Sequence, residues 1–394
     1  MKKVLFRIYQ KIMYMMSFFI SFKEPVIKNS LKDTVKILQN HDQNKVMIIS
    51  DQFLSKTDKF IELTSLLKEE AIHFSLYIDT LPNPSIPMIE AALSTYQANQ
   101  CQGIIAYGGG SVIDLAKALG ARAVRPNKSI EKMRGTLKIF KKLPLLIAIP
   151  TTVGTGSEAT LAAVVSNPNT KEKYAIMDPV LMPKYAILDV SVIKSLPPKL
   201  IAETGMDALT HAIEAFIGKA NTRKTKKMAL SAIKIIFNHL EKAYSGNIDS
   251  LGKMQVAAYQ AGVAFTRAYV GNVHAIAHQL SAYYHLGHGY ANAVILPYVL
   301  RYYHHSIDKK MARIYDDIFG DNDLCNPDKS IVMIEAIESL KDKIMIDSSF
   351  KGLIKEEDML GIVEKAYKEA NPLYPVPKIF NHQDFLNVIQ LINQ

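Results

Sequence analysis

A chain of 394 residues exceeds one ordinary domain, and 48% hydrophobic against 21% charged residues is the balance of a folded, soluble protein, which excludes disorder as the main state. Its two cysteines, Cys101 and Cys325, allow at most one bridge and no cysteine-based zinc or iron–sulfur site, so a disulfide scaffold is excluded and a cytoplasmic setting is expected. A formal net charge of +10 raises nucleic acid and anionic membrane as partners, and where that charge sits decides between them.

Half of the basic excess falls in the first thirty residues, where Lys2, Lys3, Arg7, Lys11, Lys23 and Lys28 face only Glu24. Within this stretch the apolar run Met13 to Phe22 is too short to span a bilayer, which takes roughly 20 residues. The segment after it, Ser21-Phe22-Lys23-Glu24-Pro25, lacks the small-x-small site of a cleaved signal. Residues 1–30 therefore read as a retained basic amphipathic extension. Such a helix either rests on an anionic membrane face as a peripheral contact or docks on the body or a second subunit, the commoner use of an apolar face. The rest of the chain is only mildly basic. Its cluster Lys219, Arg223, Lys224, Lys226 and Lys227 reads as the solvated start of a helix, so no nucleic-acid partner is expected.

From residue 31 to 198, short β-rich apolar runs alternate with amphipathic stretches. Strands are expected at Lys45–Ser50, His73–Ile78, Gly103–Tyr107, Leu145–Ile149 and Tyr185–Leu188, with helices beginning near Leu31, Lys56 and Ser85. That alternation predicts an α/β, Rossmann-like parallel-sheet domain that binds a nucleotide. After Leu196-Pro197-Pro198 the strand signals stop: from Lys199 to residue 394 the period is helical, as at Lys226–Tyr244 and Met254–Ala268, with breaks expected at Gly246, Gly252, Gly271 and Pro297. The chain thus reads as an extension over 1–30, a dinucleotide-binding domain over 31–198 and an all-helical metal-binding domain over 199–394, with a cleft between the last two as the expected site.

The third expected strand runs into Gly108-Gly109-Gly110-Ser111 and a helix beginning Val112-Ile113-Asp114. Successive glycines admit backbone amides close to a diphosphate, and a helix N-terminus adds free N–H groups and the positive end of a dipole. A tight structural turn is the plainer alternative, since neither the G-x-G-x-x-G fingerprint nor a Walker loop is present. The next strand ends in Pro150-Thr151-Thr152-Val153-Gly154-Thr155-Gly156-Ser157-Glu158, and polar turns at the carboxyl ends of parallel strands are where ligands sit in open sheets. Asp51 closes the first expected strand. There a carboxylate either accepts from an adenosine ribose and disfavours a 2′-phosphate, pointing to NAD(H) with NADP as the alternative, or caps the following segment.

In the helical half, Asp207 and His211 share one helix face, as do His274 and His278, and His285 and His288 follow. Four of eleven histidines lie between 274 and 288. A carboxylate with several imidazoles and no thiolate suits Fe²⁺, with Zn²⁺ as the alternative. A hydride carrier, a Lewis acid and a spare imidazole are together what alcohol–carbonyl hydride transfer requires.

These motifs closely resemble the iron-containing, or group III, alcohol dehydrogenase family, from about Pro25 to the C-terminal region. The markers are Gly108-Gly109-Gly110-Ser111-Val112-Ile113-Asp114, Pro150 to Glu158, Gly205-Met206-Asp207-Ala208 with His211, and His274-Ala275-Ile276-Ala277-His278 with His288-Gly289. The resemblance implies a fold like that of dehydroquinate synthase, a small alcohol or aldehyde as substrate, and a homodimer. It implies metal ligands at Asp207, His211, His274 and His288, and a proton-transfer role for His278. It also implies cofactor contacts at Asp51, Asn83, Gly108, Gly109, Gly110, Ser111, Asp114, Thr151, Thr152 and Lys173, and a substrate-lining position at Phe265; His285 matches no functional position. The chain departs from the family pattern in its extension, at Ile27 to Leu31, at Arg267 and at Ser281. A glycerol-type dehydrogenase and a dehydroquinate-synthase-like lyase are the neighbouring alternatives, which the Gly-Met-Asp-Ala-x-x-His and His-Ala-x-Ala-His patterns disfavour. A catalytically silent scaffold that binds membrane or a partner is the non-enzyme alternative, and the complete ligand set opposes it.

Overall fold

Continuous apolar runs bounded by polar turns become strands buried on both faces, as parallel sheets require. The computed structural model describes residues 2–17, 23–170 and 172–394, so the end of the apolar run read at Met13–Phe22 lies outside the described residues. The strands are β1 (Val26–Lys28), β2 (Lys45–Ile49), β3 (His73–Tyr77), β4 (Gly103–Gly108), β5 (Gly135–Thr136), β6 (Leu145–Pro150), β7 (Ala162–Asn167), β8 (Glu172–Met177) and β9 (Tyr185–Ile187). Six of them form one sheet in the order β1-β9-β6-β4-β2-β3, parallel at every pairing. The expected parallel-sheet architecture is therefore present. Val26–Lys28, read as the end of the extension, is instead an edge strand paired with β9. A second sheet, β5-β8-β7, contains the antiparallel pair β7–β8, which the sequence pattern did not reveal.

Side-chain alternation divides the large sheet's core in two. Met47, Ile49, Ile104, Ala106, Leu146 and Ala148 pack against α4 (Ile86–Ala98) and α5 (Gly110–Val124). Val46, Ile48, Ile105, Tyr107, Ile147 and Ile149 face the opposite side, against α2 (Lys32–Gln39) and α3 (Asp58–Glu69). Two short helices, α6 (Ile130–Met133) and α7 (Val190–Ile193), complete this unit, which runs to Leu196. Because β4 lies beside β2 while β3 lies on its other side, chain direction across the sheet reverses at β2/β4, the place where open sheets bind ligands.

The second compact unit takes Pro197–Gln394 together with α1 (Lys2–Ser17). It contains α8 (Pro198–Ile217), α9 (Arg223–Tyr244), α10 (Ile248–Ala268), α11 (Asn272–Tyr284), α12 (His288–Tyr303), α13 (Asp308–Phe319), α14 (Asn326–Lys343), α15 (Glu356–Ala370) and α16 (His382–Ile392), with no strand among the described residues. Two expected breaks do not occur: Gly252 lies inside α10 and Pro297 inside α12. Burial of α12 on both sides of Pro297 outweighs the one helix hydrogen bond that proline forfeits. From Gly205 to Ile217 every residue of α8 is buried. Polar groups on such a helix must find partners inside the protein; Thr210 bonds back to the Met206 carbonyl of its own helix, which leaves Asp207, His211 and Glu214 to be met by other elements. Helix α1 is moored to this unit: the Arg7 guanidinium donates to the carbonyls of Val376 (2.7 Å) and Pro377 (2.9 Å), and Gln10 donates to those of Pro372 (3.0 Å) and Tyr374 (2.7 Å).

Candidate active site

In the sheet-containing unit, register sets the first cluster. Tyr107 pairs with Ile149 and Gly108 with Pro150, so the two polar turns leave the sheet side by side. A Cβ on Gly108 would lie 2.4 Å from Val112, and one on Gly110 would lie 2.9 Å from Thr155. Glycine is thus required for the turn's own packing as well as for any close approach by a ligand. A Cβ on Gly109 would meet Thr152 at 3.1 Å, so this turn and the Thr151–Thr152 segment touch.

Three further expected residues gather at the same end of the sheet. The Asn83 amide donates to Ser111 Oγ (3.2 Å), and Lys173 Nζ donates to Asn83 Oδ1 (2.6 Å). Asp51, at the end of β2, uses Oδ1 to accept from the amides of Phe53 (2.9 Å) and Leu54 (2.8 Å), so the capping role is realised there. Asp114 turns into the unit: Oδ1 accepts from Ser157 Oγ (2.6 Å) and Oδ2 from the Val164 amide (2.9 Å). Burial raises its pKa, while the ammonium of Lys117, 4.0 Å away, pulls it back down. Lys117, which the sequence did not single out, is fully buried and donates to the carbonyls of Ser157 (2.7 Å), Thr160 (2.9 Å) and Ala162 (2.8 Å). This lysine ties α5 to the second polar turn.

In the helical unit, α8 sets Asp207 and His211 one turn apart, with Asp207 Oδ2 3.9 Å from His211 Nδ1. Helix α11 brings His274 Nε2 to 3.9 Å from Asp207 Oδ1, and α12 brings His288 Nε2 to 3.5 Å. All four donor atoms lie within 4.8 Å of one another, and Asp207, His211 and His274 are buried. A Cβ on Gly289 would stand 2.3 Å from the Glu203 carbonyl oxygen, so only glycine lets the start of α12 come this close to α8. Phe265 stacks on the His211 ring at 4.1 Å between centroids, and His278 stacks on His288 at 5.0 Å. His285 sits apart, closing α11 in the left-handed conformation.

This set fits a divalent cation. Burial, followed by the neighbouring His211, His288 and His278, holds the His274 pKa well below 6.5, so its ring is neutral, the form that ligates metal. Three imidazoles and one carboxylate without thiolate match the donor preferences of Fe²⁺ and Zn²⁺.

Three supporting residues escaped the sequence reading. Glu214 accepts from the amides of Gly271 (2.7 Å) and Val273 (2.8 Å) and lies 2.7 Å from His274 Nδ1, which turns His274 Nε2 toward the cluster. Burial raises the Glu214 pKa, and these N–H donors stabilise the charged form against it. Asn292 donates from Nδ2 to Asp207 Oδ1 (2.7 Å) and stands 3.2 Å from His274 Nε2 and 3.1 Å from His288 Nε2. Glu369 meets His278 Nδ1 at 2.5 Å and accepts from Gln279 Nε2 (2.7 Å) and the Tyr374 hydroxyl (2.8 Å). Spacing could have found the first two: Glu214 lies three residues after His211, and Asn292 four after His288. No spacing could have found Glu369, which is 91 residues from His278 in sequence.

Comparison with known proteins agrees with this geometry. Residues 26–190 match the family model for iron-containing alcohol dehydrogenase, and residues 201–392 match that for the C-terminal part of the Fe-containing alcohol dehydrogenase family. The chain is 30% identical to the NAD-dependent methanol dehydrogenase of Bacillus methanolicus over 95% of its own length and 99% of that protein. It is 37% identical to alcohol dehydrogenase 4 of Saccharomyces cerevisiae over 69% of its own length and 72% of that protein. A crystal structure of 1,3-propanediol oxidoreductase superposes with a TM-score of 0.90 at 31% identity, covering 95% of this chain and all of that one. The chain therefore belongs to the iron-containing alcohol dehydrogenase family, oxidoreductases that interconvert alcohols and carbonyl compounds with a nicotinamide cofactor.

Proposed function

We propose that Asp207, His211, His274 and His288 hold one Fe²⁺, with Zn²⁺ as the alternative, and that NAD(H), with NADP(H) as the alternative, binds at the carboxyl ends of β2, β4 and β6. The observation that carries this reading is the convergence of four donor atoms from α8, α11 and α12 within 4.8 Å. A cation bound there supplies the Lewis acidity that lowers an alcohol's pKa, and the nicotinamide supplies or accepts the hydride.

The chain's own residues then do the following. Glu214 fixes the tautomer and direction of His274 through Nδ1. Asn292 holds the Asp207 carboxylate from the side of the cluster. Glu369 holds His278 at Nδ1, leaving Nε2 as the atom that carries the substrate's proton. Phe265 covers one flank of His211 and presents an apolar wall to a small alcohol or aldehyde.

At the sheet, the Gly108 to Ser111 turn and the start of α5 offer amides to the diphosphate. Asn83, Thr151, Thr152 and Lys173 stand beside that turn, Asp51 marks the ribose end, and Asp114 and Lys117 keep the two turns in register. The free thiols Cys101 and Cys325 suit a reducing cytoplasm. We place the enzyme there as a homodimer with a peripheral membrane contact through α1.

Replacement of His274 by Ala tests the ligand set. Elemental analysis is expected to give about one metal per parent chain and a near-complete loss in the variant, with turnover lost in parallel. Full metal content and full turnover in the variant would refute the assignment.

A further inference from the structure

Helix α1 reverses the usual arrangement of a surface helix. Its polar side faces the protein: Arg7 and Gln10 are bonded to backbone carbonyls between Pro372 and Pro377, and the Tyr14 hydroxyl donates to the Asn221 carbonyl at 3.4 Å. Its apolar side faces outward. Val4, Leu5, Ile8, Tyr9, Ile12 and Met15 are each between 40% and 63% exposed. At about 100° per residue these six positions fall on one continuous arc, while Arg7, Gln10 and Tyr14 fall on the opposite one. Lys11 and Lys2 lie at the two edges of the apolar arc, and the helix contains no acidic residue.

A helix that merely completed the fold would turn its aliphatic side chains to the body, because apolar surface left in water forgoes the gain of burial. Here Arg7, Gln10 and Tyr14 serve the mooring, with Phe6 and Met13 half-buried, and the six residues of the outward arc are left exposed. The mooring bonds reach backbone carbonyls, so the outward direction of the arc is fixed relative to the helical unit. An aliphatic arc containing a tyrosine and edged by lysines matches an interface that is apolar below and anionic above. Charge selects between occupants. A second copy of α1 would set Lys2 and Lys11 against the same lysines, whereas anionic lipid headgroups neutralise them. No helix among the described residues is long and apolar enough to cross a membrane.

We infer that the outward face of α1 is a docking surface for an anionic bilayer, on which the helix lies in plane with Leu5, Ile8 and Ile12 at its centre. The inference rests on the peripheral contact proposed above and is independent of the metal and cofactor assignments.

Sedimentation with vesicles tests it, using the full chain and a variant carrying Leu5→Glu, Ile8→Glu and Ile12→Glu together. These side chains are exposed, and the substitutions leave Arg7 and Gln10 in place. With vesicles of equal parts phosphatidylglycerol and phosphatidylcholine, the full chain is expected to pellet. Binding should be weaker by at least about tenfold for the triple variant, and by a similar factor for the full chain on pure phosphatidylcholine. Circular dichroism, NADH-linked turnover of a short aldehyde and subunit association should be unchanged in the variant. The inference is overturned if the full chain stays in solution with both vesicle types, or if the variant pellets as well as the parent. It is also overturned if the variant loses subunit association instead of lipid binding, which would assign the face to a second copy. Turnover in the same samples reports on the enzymatic reading separately.

Discussion

Glu214 shows how far single residues could be read in this sequence. Asp207, His211, His274 and His288 declare themselves by residue type and helical spacing, whereas the spacing of Glu214 from His211 announces a shared helix face and a need for partners but not which partners. Those partners, the amides of Gly271 and Val273 and the His274 ring, come from a segment about sixty residues away that only the fold brings near. Asp114 shows the converse: the family resemblance assigns it to the cofactor by type and position, and the fold adds partners within the chain, Ser157 Oγ and the Val164 amide, that its position alone does not announce. For Glu214→Gln, one carboxylate oxygen becomes an amide that cannot accept from the Gly271 or Val273 amide facing it, and His274 loses its charged partner. Metal affinity is expected to fall about 10–100-fold with the helical content retained. A competition titration with a chromogenic chelator measures this, and an affinity equal to that of the parent would show that His274 is oriented by other means.

Whole elements were legible where one physical cause dominated. The strands β2, β4 and β6 are short apolar runs because both sheet faces are covered, and each was found within a residue or two of its ends. The hairpin β7–β8 was missed because its sequence, Ala-Ala-Val-Val-Ser-Asn against Glu-Lys-Tyr-Ala-Ile-Met, is half exposed and its pairing partners are set by tertiary contacts. Its neighbourhood contains the buried ammonium of Lys117, pushed down to about 8 by burial, which joins α5 to the Ser157–Ala162 segment. Replacing Lys117 with Met removes every one of those hydrogen bonds and leaves Asp114 without its cation. The expected cost is about 3–5 kcal/mol. Differential scanning calorimetry should show it as a lowered unfolding temperature of the sheet-containing unit. An unchanged transition would mean that the acceptors around Nζ are satisfied without it.

At the scale of the molecule, composition and periodicity were enough to separate a parallel α/β unit from a helical one, because strand and helix periods differ and the change falls near Pro197–Pro198. They could not show that α1 folds onto the helical unit with its polar side inward, since an amphipathic pattern fixes which residues share a face but not which face meets the body. Nor could they show that β1 belongs to the large sheet, a three-residue edge strand being too short to carry a period.

The most direct test of the active-site account is NADH oxidation by metal-stripped protein, assayed with a panel of short aldehydes and ketones before and after anaerobic reconstitution with Fe²⁺ or, separately, Zn²⁺. Turnover is expected to be absent from the stripped protein, to return on adding one equivalent of Fe²⁺ or Zn²⁺, and to stay absent in His274→Ala under the same treatment. Undiminished turnover by the stripped parent, or restoration in the variant equal to that in the parent, would contradict the assignment of Asp207, His211, His274 and His288 as the centre of the reaction.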